Sequence, residues 1–333
     1  MSLTRTDISA RILAGRQPDI ADSFEAYAPV NIALCKYWGK RNAVLNLPVN
    51  DSLSISLGNK GTTTRLTRLP GAEKDKVFLN GKPVDGESAF CRKVVAHIDL
   101  FRPLGSGALR VETRNDVATG AGLASSASGF AALTKALVGL YGLTLSNEEL
   151  SIIARLGSGS ASRSIYSGFA HWHRGVRPDG MDSFASSLDV IWPELRVGVL
   201  TLAESEKPTG SREGMQRTVD SAILYNSWPE QADRDIRRLE HAITVRDFTL
   251  LGSTAEQNAM AMHATMLASW PPLLYWQPES VEVLQKVWQV RQDGVQVFAT
   301  MDAGPNVKVL FESNSEPEMR SVFQSMDVIA PFS

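Results

Sequence analysis

Apolar side chains recur along this chain at two spacings, every second residue in some stretches and every third or fourth in others, which mark strands and helices respectively. In SLSISLG, Leu53, Ile55 and Leu57 alternate with serines, predicting a half-buried strand. KVFLNGKPV sets two extended runs around Asn80-Gly81, a dipeptide that favours a two-residue hairpin turn. LRVETR puts Leu109, Val111 and Thr113 on one face of a strand and Arg110, Glu112 and Arg114 on the other. After this the period changes: Phe130, Leu133, Leu137, Leu140 and Tyr141 follow helical spacing.

A second change of character comes at Trp192-Pro193. LRVGVLTL reads as a strand, and helices then dominate. Ala232, Ile236, Leu239 and Ile243 form one apolar stripe, and Val281, Leu284, Val287, Trp288 and Arg291 mark another helical face. VQVFATM and VKVLFE are strand-like and are separated by the turn-forming DAGPN. Strands and helices in both halves predict an α+β protein of two domains, residues 1–190 and 191–333.

Composition narrows the function classes. A formal charge of −2 gives no global field for nucleic acid or an anionic membrane, so any basic site is local. The two cysteines, Cys35 and Cys91, make no CxxC pair and suggest a reducing compartment. The amino terminus mixes charges of both signs where a signal peptide would be apolar. No segment approaches the roughly 18 apolar residues of a membrane span. A cytoplasmic protein is expected.

Between the LRVETR strand and the Phe130 helix lies GAGLASSASG, Gly120 to Gly129. Glycines let backbone N–H groups converge, small side chains let an anion approach, and a helix start adds a favourable dipole. The run lacks the lysine of a Walker A loop and the spacing of a GxGxxG fingerprint. On composition alone, phosphate binding and a packed helix start fit equally well.

Other segments also carry two readings. In APVNIALCKYWGKRN, Lys36, Lys40 and Arg41 surround Tyr37 and Trp38, as a solvated face would, yet the apolar NIALC leads straight into Lys36. GSGSASRS holds Arg163 in a small-residue loop, suited to gripping an anion or simply to the surface. KPTGSREGM adds Lys207, Ser211 and Arg212, and Asp302 in MDAGPN is by itself a turn former. His171 and His173 would share a strand face, but the sequence shows no third ligand for a zinc ion. His97, His241 and His263 read as structural.

In this order, APVNIALCKYWGK, LPVNDSLS, GAGLASSASGFAAL, GSGSASRS, SREGM and MDAGPN resemble the diphosphomevalonate decarboxylases of the GHMP kinase superfamily. MHATMLASWPPLLYW fits as well, and the match runs from about Ala28 to Leu310. The resemblance implies an N-terminal α/β ATP-binding domain with a left-handed βαβ unit and a C-terminal ferredoxin-like domain. It also implies a homodimer and a reaction that uses ATP and Mg2+ to turn (R)-5-diphosphomevalonate into isopentenyl diphosphate, ADP, phosphate and CO2.

Carried over residue by residue, it makes Asp302, Lys36 and Arg163 catalytic. Tyr37, Lys40, Ser158, Gly159, Ser160, Arg163, Ser211 and Arg212 become substrate contacts. Gly122, Leu123, Ala124, Ser125, Ser126 and Ser128 become the ATP cradle, with Ser125 and Ser126 near Mg2+. This chain departs from the commoner pattern at Asp51, Ala118, Ser162 and Met301. A kinase or decarboxylase acting on mevalonate or 5-phosphomevalonate, and a non-catalytic ATP-binding regulator, are the competing readings.

Overall fold

The computed structural model describes residues 3–105, 107–116, 125–203 and 209–332. The first half contains α1 (Arg5–Leu13), β1 (Ser23–Cys35), β2 (Lys40–Asn42), β3 (Leu47–Pro48), β4 (Ser52–Leu69), β5 (Lys76–Leu79) and β6 (Lys82–Pro83). There follow α2 (Ala89–Ile98), β7 (Ala108–Asn115), α3 (Ser125–Leu140), α4 (Asn147–Gly157), a 3-10 segment (Gly159–Ile165), β8 (Phe169–Trp172) and β9 (Ala185–Leu188). The second half contains β10 (Leu195–Leu200), α5 (Ser211–Ser221), α6 (Trp228–Val245), α7 (Phe248–Leu267), α8 (Pro278–Gln292), β11 (Val297–Met301), β12 (Val307–Glu312), α9 (Glu316–Val322) and β13 (Asp327–Ile329).

Local chemistry explains many of these boundaries. Asn80 and Gly81 both take positive φ, and Leu79 pairs with Lys82 across them, so the expected two-residue hairpin forms. Ser146 and Glu149 close a reciprocal capping box at the start of α4. Asp247 caps α7 through Leu250 N–H.

The 18-residue β4 organises the first sheet, whose order is β6-β5-β7-β4-β8-β9. Strand β1 runs antiparallel along β4, while β7 and β8 share its other edge at opposite ends. The second sheet is antiparallel throughout, in the order β13-β10-β12-β11. Its first strand lies beside its last and its third lies between the first and second, which is the split arrangement of ferredoxin-like sheets.

One apolar core joins the halves. Val30, Ile32 and Leu34 of β1 and Leu53, Ile55 and Leu57 of β4 pack in one cluster with Leu239 and Ile243 of α6 and Leu251 of α7. The other helices of the first half bury a second cluster around Leu109, Val111, Leu133 and Leu137. Period two in β1 therefore sends Val30, Ile32 and Leu34 into the shared core and turns Asn31 and Ala33 toward a cleft between the halves.

Two expectations change. The serine face of SLSISLG is buried too: Ser52, Ser54 and Ser56 have 0–2% exposure, so β4 is covered on both faces at this end. In α8, Val281 and Trp288 are exposed while Leu284, Val287 and Val290 are buried. The helix is rotated relative to the predicted stripe, leaving Trp288 to donate from Nε1 to Glu256 at 3.2 Å.

Helix α7 lies on β11 through Gly252, where an added Cβ would sit 2.0 Å from Phe298 Cδ2. Helix propensity alone favours alanine over glycine by about 1 kcal/mol. Overpacking a tight contact costs about 1–3 kcal/mol, so the packing term should win. Gly252→Ala is expected to lower the urea midpoint, and a higher midpoint would show that the α7–β11 contact relaxes without cost.

Candidate functional site

Strand β1 delivers Lys36 to the cleft immediately after Cys35. Its backbone is pinned on both sides: Lys36 N–H donates to Asn258 Oδ1 at 2.8 Å, and Asn50 Nδ2 donates to Lys36 O at 2.9 Å. The side chain is only 2% exposed, and Nζ donates to Ala33 O at 2.7 Å and to Asp302 Oδ1 at 3.1 Å. Burial holds the Lys36 ammonium below its ordinary pKa, while the Asp302 carboxylate works in the opposite direction.

Asp302 sits in the turn between β11 and β12, and Gly304 N–H donates to its carbonyl at 2.7 Å. The turn is closed through the backbone carbonyl of Asp302, and its carboxylate faces a second ammonium as well. Lys308 Nζ lies 3.4 Å from Asp302 Oδ2 and is 1% exposed. Sequence reasoning missed Lys308 because a lysine in an alternating strand ordinarily marks the solvent face. Here β12 is buried on both faces over Val307–Phe311. His263 Nε2 meets Asp302 O at 3.2 Å, and burial pushes this imidazole down to about 4.

Arg163 comes from the 3-10 segment and is 3% exposed. Its Nε and Nη2 both donate to Asn31 Oδ1 at 3.3 Å, and Nη1 donates to Ser52 Oγ. Burial lowers its pKa to about 10 despite the opposing pull of Asp302, which leaves it a cation at neutral pH. The buried serine face of β4 is thus one side of the arginine's holder.

The two Gly/Ser runs meet. Ser126 Oγ lies 3.5 Å from Ser158 Oγ, which lies 3.5 Å from Ser160 Oγ. Ser125 and Ser126 form the first turn of α3, at the positive end of a 16-residue helix. Ser128 does not join them: it is fully buried, with Oγ 2.7 Å from Thr62 Oγ1, because helical rotation turns it toward β4. Gly122, Leu123, Ala124 and Lys207 lie outside the described residues.

A cavity of about 610 Å³ collects Lys36, Tyr37, Lys40, Ser125, Ser126, Ser158, Gly159, Ser160, Arg163, Ser211, Arg212 and Asp302. Its volume falls in the range of small-molecule sites. Gly159 is set by close approach, since a Cβ there would lie 2.8 Å from Tyr37 Cε1. One end is strongly cationic. Burial, followed by Arg212, Arg5 and Lys93, pushes Lys40 down to about 8. Like charges gathered in this way mark a place for an anion.

Arg155, which sequence reasoning also missed, does not line the cavity but lies within electrostatic reach of Tyr37, which does. Arg155 is fully buried, and none of its three guanidinium nitrogens has a hydrogen-bond partner among the described residues. Tyr37, Asp182 and Asp179 pull its pKa upward, while burial and Arg41 hold it down to about 9. Its place at the end of α4 resembles any surface helix arginine in sequence.

Comparison with known proteins agrees with this arrangement. Residues 28–185 match the diphosphomevalonate decarboxylase-like N-terminal domain, and residues 197–330 match the mevalonate 5-diphosphate decarboxylase C-terminal domain. The diphosphomevalonate decarboxylase of Aspergillus fumigatus is 39% identical over 310 residues, covering 87% of this chain and 77% of that one. The crystal structure of mevalonate diphosphate decarboxylase from Staphylococcus aureus is 36% identical with a TM-score of 0.87, covering 93% of this chain and 95% of that one. A solved complex of MDDEF with MVAPP, AMPPCP and magnesium is 38% identical with a TM-score of 0.86, covering 92% and 95%. The two-domain α+β architecture is that of these structures.

Removing the shared carboxylate should expose the cost of the two lysines. Asp302→Asn leaves Lys36 and Lys308 buried without their anion. Breaking a fully buried pair costs about 3–5 kcal/mol, and because Asp302 keeps 28% of its side-chain surface in water, a loss of about 2–3 kcal/mol is expected. Adding Lys308→Met should recover part of it, measured as the urea midpoint. Additive losses in the double variant would mean that the three groups are not coupled.

Proposed function

The chain belongs to the diphosphomevalonate decarboxylase family, and from that premise we propose that it catalyses ATP-dependent decarboxylation of (R)-5-diphosphomevalonate. The products are isopentenyl diphosphate, ADP, phosphate and CO2. The observation that carries this reading is the Asp302 carboxylate, held between the buried ammonium groups of Lys36 and Lys308 at the cleft. Such a group is fixed, ionised and able to take a proton.

The chemistry requires it. A departing carboxylate leaves its electron pair behind, and this substrate has no carbonyl placed to accept that pair. Its tertiary hydroxyl must become a leaving group. Asp302 takes the hydroxyl proton as the oxygen attacks the γ-phosphorus of ATP, and ADP departs. The C–O bond then breaks with loss of phosphate, the C–C bond to the carboxylate breaks, and its electrons form the new double bond as CO2 leaves.

Lys36 and Lys308 keep Asp302 ionised before the transfer and offset charge on the moving phosphoryl group. Arg163, held by Asn31 and Ser52, pairs with the substrate carboxylate. Lys40, Arg212, Ser158, Ser160 and Ser211 receive its diphosphate, with Tyr37 and Gly159 shaping that wall and Arg155 adding charge behind it. Ser125 and Ser126 face the ATP phosphates from the start of α3. Their hydroxyls suit a hard cation that prefers oxygen ligands. Bound Mg2+ would neutralise phosphate charge there.

We further read residues 1–190 and 191–333 as two domains and the working form as a homodimer in the cytoplasm, with no nucleic-acid or membrane partner. Two buried free cysteines fit a reducing compartment. Among the described residues no helix is long and apolar enough to cross a membrane.

A coupled assay tests the reading, with ATP, Mg2+ and either mevalonate 5-diphosphate or the monophosphate. ADP, phosphate and CO2 are expected in equal amounts, with the higher kcat/KM on the diphosphate. Asp302→Asn should lower kcat by about a hundred- to ten-thousand-fold with nucleotide affinity retained. A stable phosphorylated acid without CO2 would identify a kinase, and no substrate-dependent ADP would identify a non-catalytic ATP binder.

A further inference from the structure

His171 lies in β8, and His173 follows one residue beyond its end. Two residues apart on an extended backbone, their imidazoles share one face, with ring centroids 4.0 Å apart. The β4–β8 register pairs Ser52 with Trp172 and so brings Asp51, the residue before β4, alongside. The third ligand that the sequence does not reveal is thus supplied from 120 positions away. One donor atom from each of Asp51, His171 and His173 lies within 4.8 Å of the others.

We propose that Asp51, His171 and His173 form a binding site for a divalent transition-metal ion of the zinc type, separate from the reaction cavity. Two imidazole nitrogens and one carboxylate oxygen are a common three-residue set for zinc, with water completing the shell. Zinc–ligand distances of about 2.1 Å place tetrahedral donors roughly 3.4 Å apart. His171 Nε2 and Asp51 Oδ2 are already 3.1 Å apart, and no pair of donors in the set is farther apart than 4.8 Å.

The surrounding contacts orient each donor. Glu240 Oε1 meets His171 Nδ1 at 2.7 Å, so that the carboxylate fixes the ring and turns Nε2 toward Asp51. This carboxylate–histidine arrangement is the usual support behind a metal-binding imidazole. Arg174 N–H donates to Asp51 Oδ1 at 2.7 Å, leaving Oδ2 for the cation. Ser186 Oγ lies 2.9 Å from His173 Nε2, which assigns Nδ1 of that ring to the metal.

Charge and access agree. Asp51 and Glu240 bring two negative charges to a pair of imidazoles, while the nearby Arg174 guanidinium is directed to Val49 O and Asp233. Without the metal, His171 bridges the two carboxylates, at 3.1 Å from Asp51 Oδ2 and 2.7 Å from Glu240 Oε1. Asp51 retains 24% side-chain exposure, an entry path from solvent. None of the three ligands lines the reaction cavity. The residues flanking Asp51 do serve it, since Asn50 holds Lys36 and Ser52 holds Arg163. The bound ion braces the strand that positions both.

The full chain, stripped with chelator and re-equilibrated, is titrated with Zn2+ by calorimetry and with Co2+ by visible absorption. One equivalent of Zn2+ should bind, with intense low-coordinate Co2+ bands and a higher melting temperature. Asp51→Ser and His173→Gln should each weaken binding at least tenfold, and Glu240→Gln about ten- to a hundredfold. His173→Gln serves as the decisive variant should Asp51→Ser fail to fold, because in the absence of metal it loses only the Ser186 contact among the hydrogen bonds described. No stoichiometric binding, or binding unchanged in folded His173→Gln, would overturn the proposal and leave a protonated His171 ion pair.

Discussion

Two lysine ammonium groups buried against a single aspartate are the constraint around which the structure is arranged. Removing an ammonium from water costs several kcal/mol even after relaxation, and a partner restores that only with good geometry. Here the partners come from far apart in the chain. Lys36 directly follows β1, whereas Asp302 and Lys308 belong to the β11–β12 hairpin. The pairing therefore exists only when the two sheets are held together, and the continuous apolar core of β1, β4, α6 and α7 supplies that force.

Several of the polar groups around this joint are linked in series. Asn258 accepts from Lys36 N–H and donates to Asp235, Asp235 accepts from Gln231, and Asn50 accepts from Trp228 while donating to Lys36 O. A satisfied chain of this kind specifies one arrangement, because a shift at any member strands a buried donor or acceptor. It also explains the density of NIALCKYWGK. Asn31 holds Arg163, Lys36 meets Asp302, and Trp38 O receives Tyr225 Oη. Gly39, at φ +113°, leaves room for that tyrosine, whose oxygen would lie 1.6 Å from any Cβ.

Periodicity in the sequence was enough to read β7, α3 and α6, whose predicted apolar positions are buried. It failed where both faces are buried. Ser52 and Lys308 sit on strands whose polar positions face another part of the protein, and alternation alone assigns such positions to water. The same limit hid Arg155, whose burial depends on what covers the end of α4. The motif resemblance reached Lys36, Arg163 and Asp302 and the basic residues of the cleft. It also placed Ser128 with its neighbours, although helical rotation turns that hydroxyl to Thr62.

Asp51 shows how one strand entrance can serve two centres. Residues 50, 51 and 52 point in turn to the Lys36 carbonyl, the imidazole pair and the Arg163 guanidinium. Asp51 itself lines no part of the cleft, while Asn50 and Ser52 hold groups that do. Restraint applied there costs no group that touches substrate. Asn50 and Ser52 are the chain neighbours of Asp51, so a contact that holds Asp51 acts next to both. The lysine and the arginine that must face the substrate together each take one holding contact from that short stretch, and others come from Asn258 and Asn31.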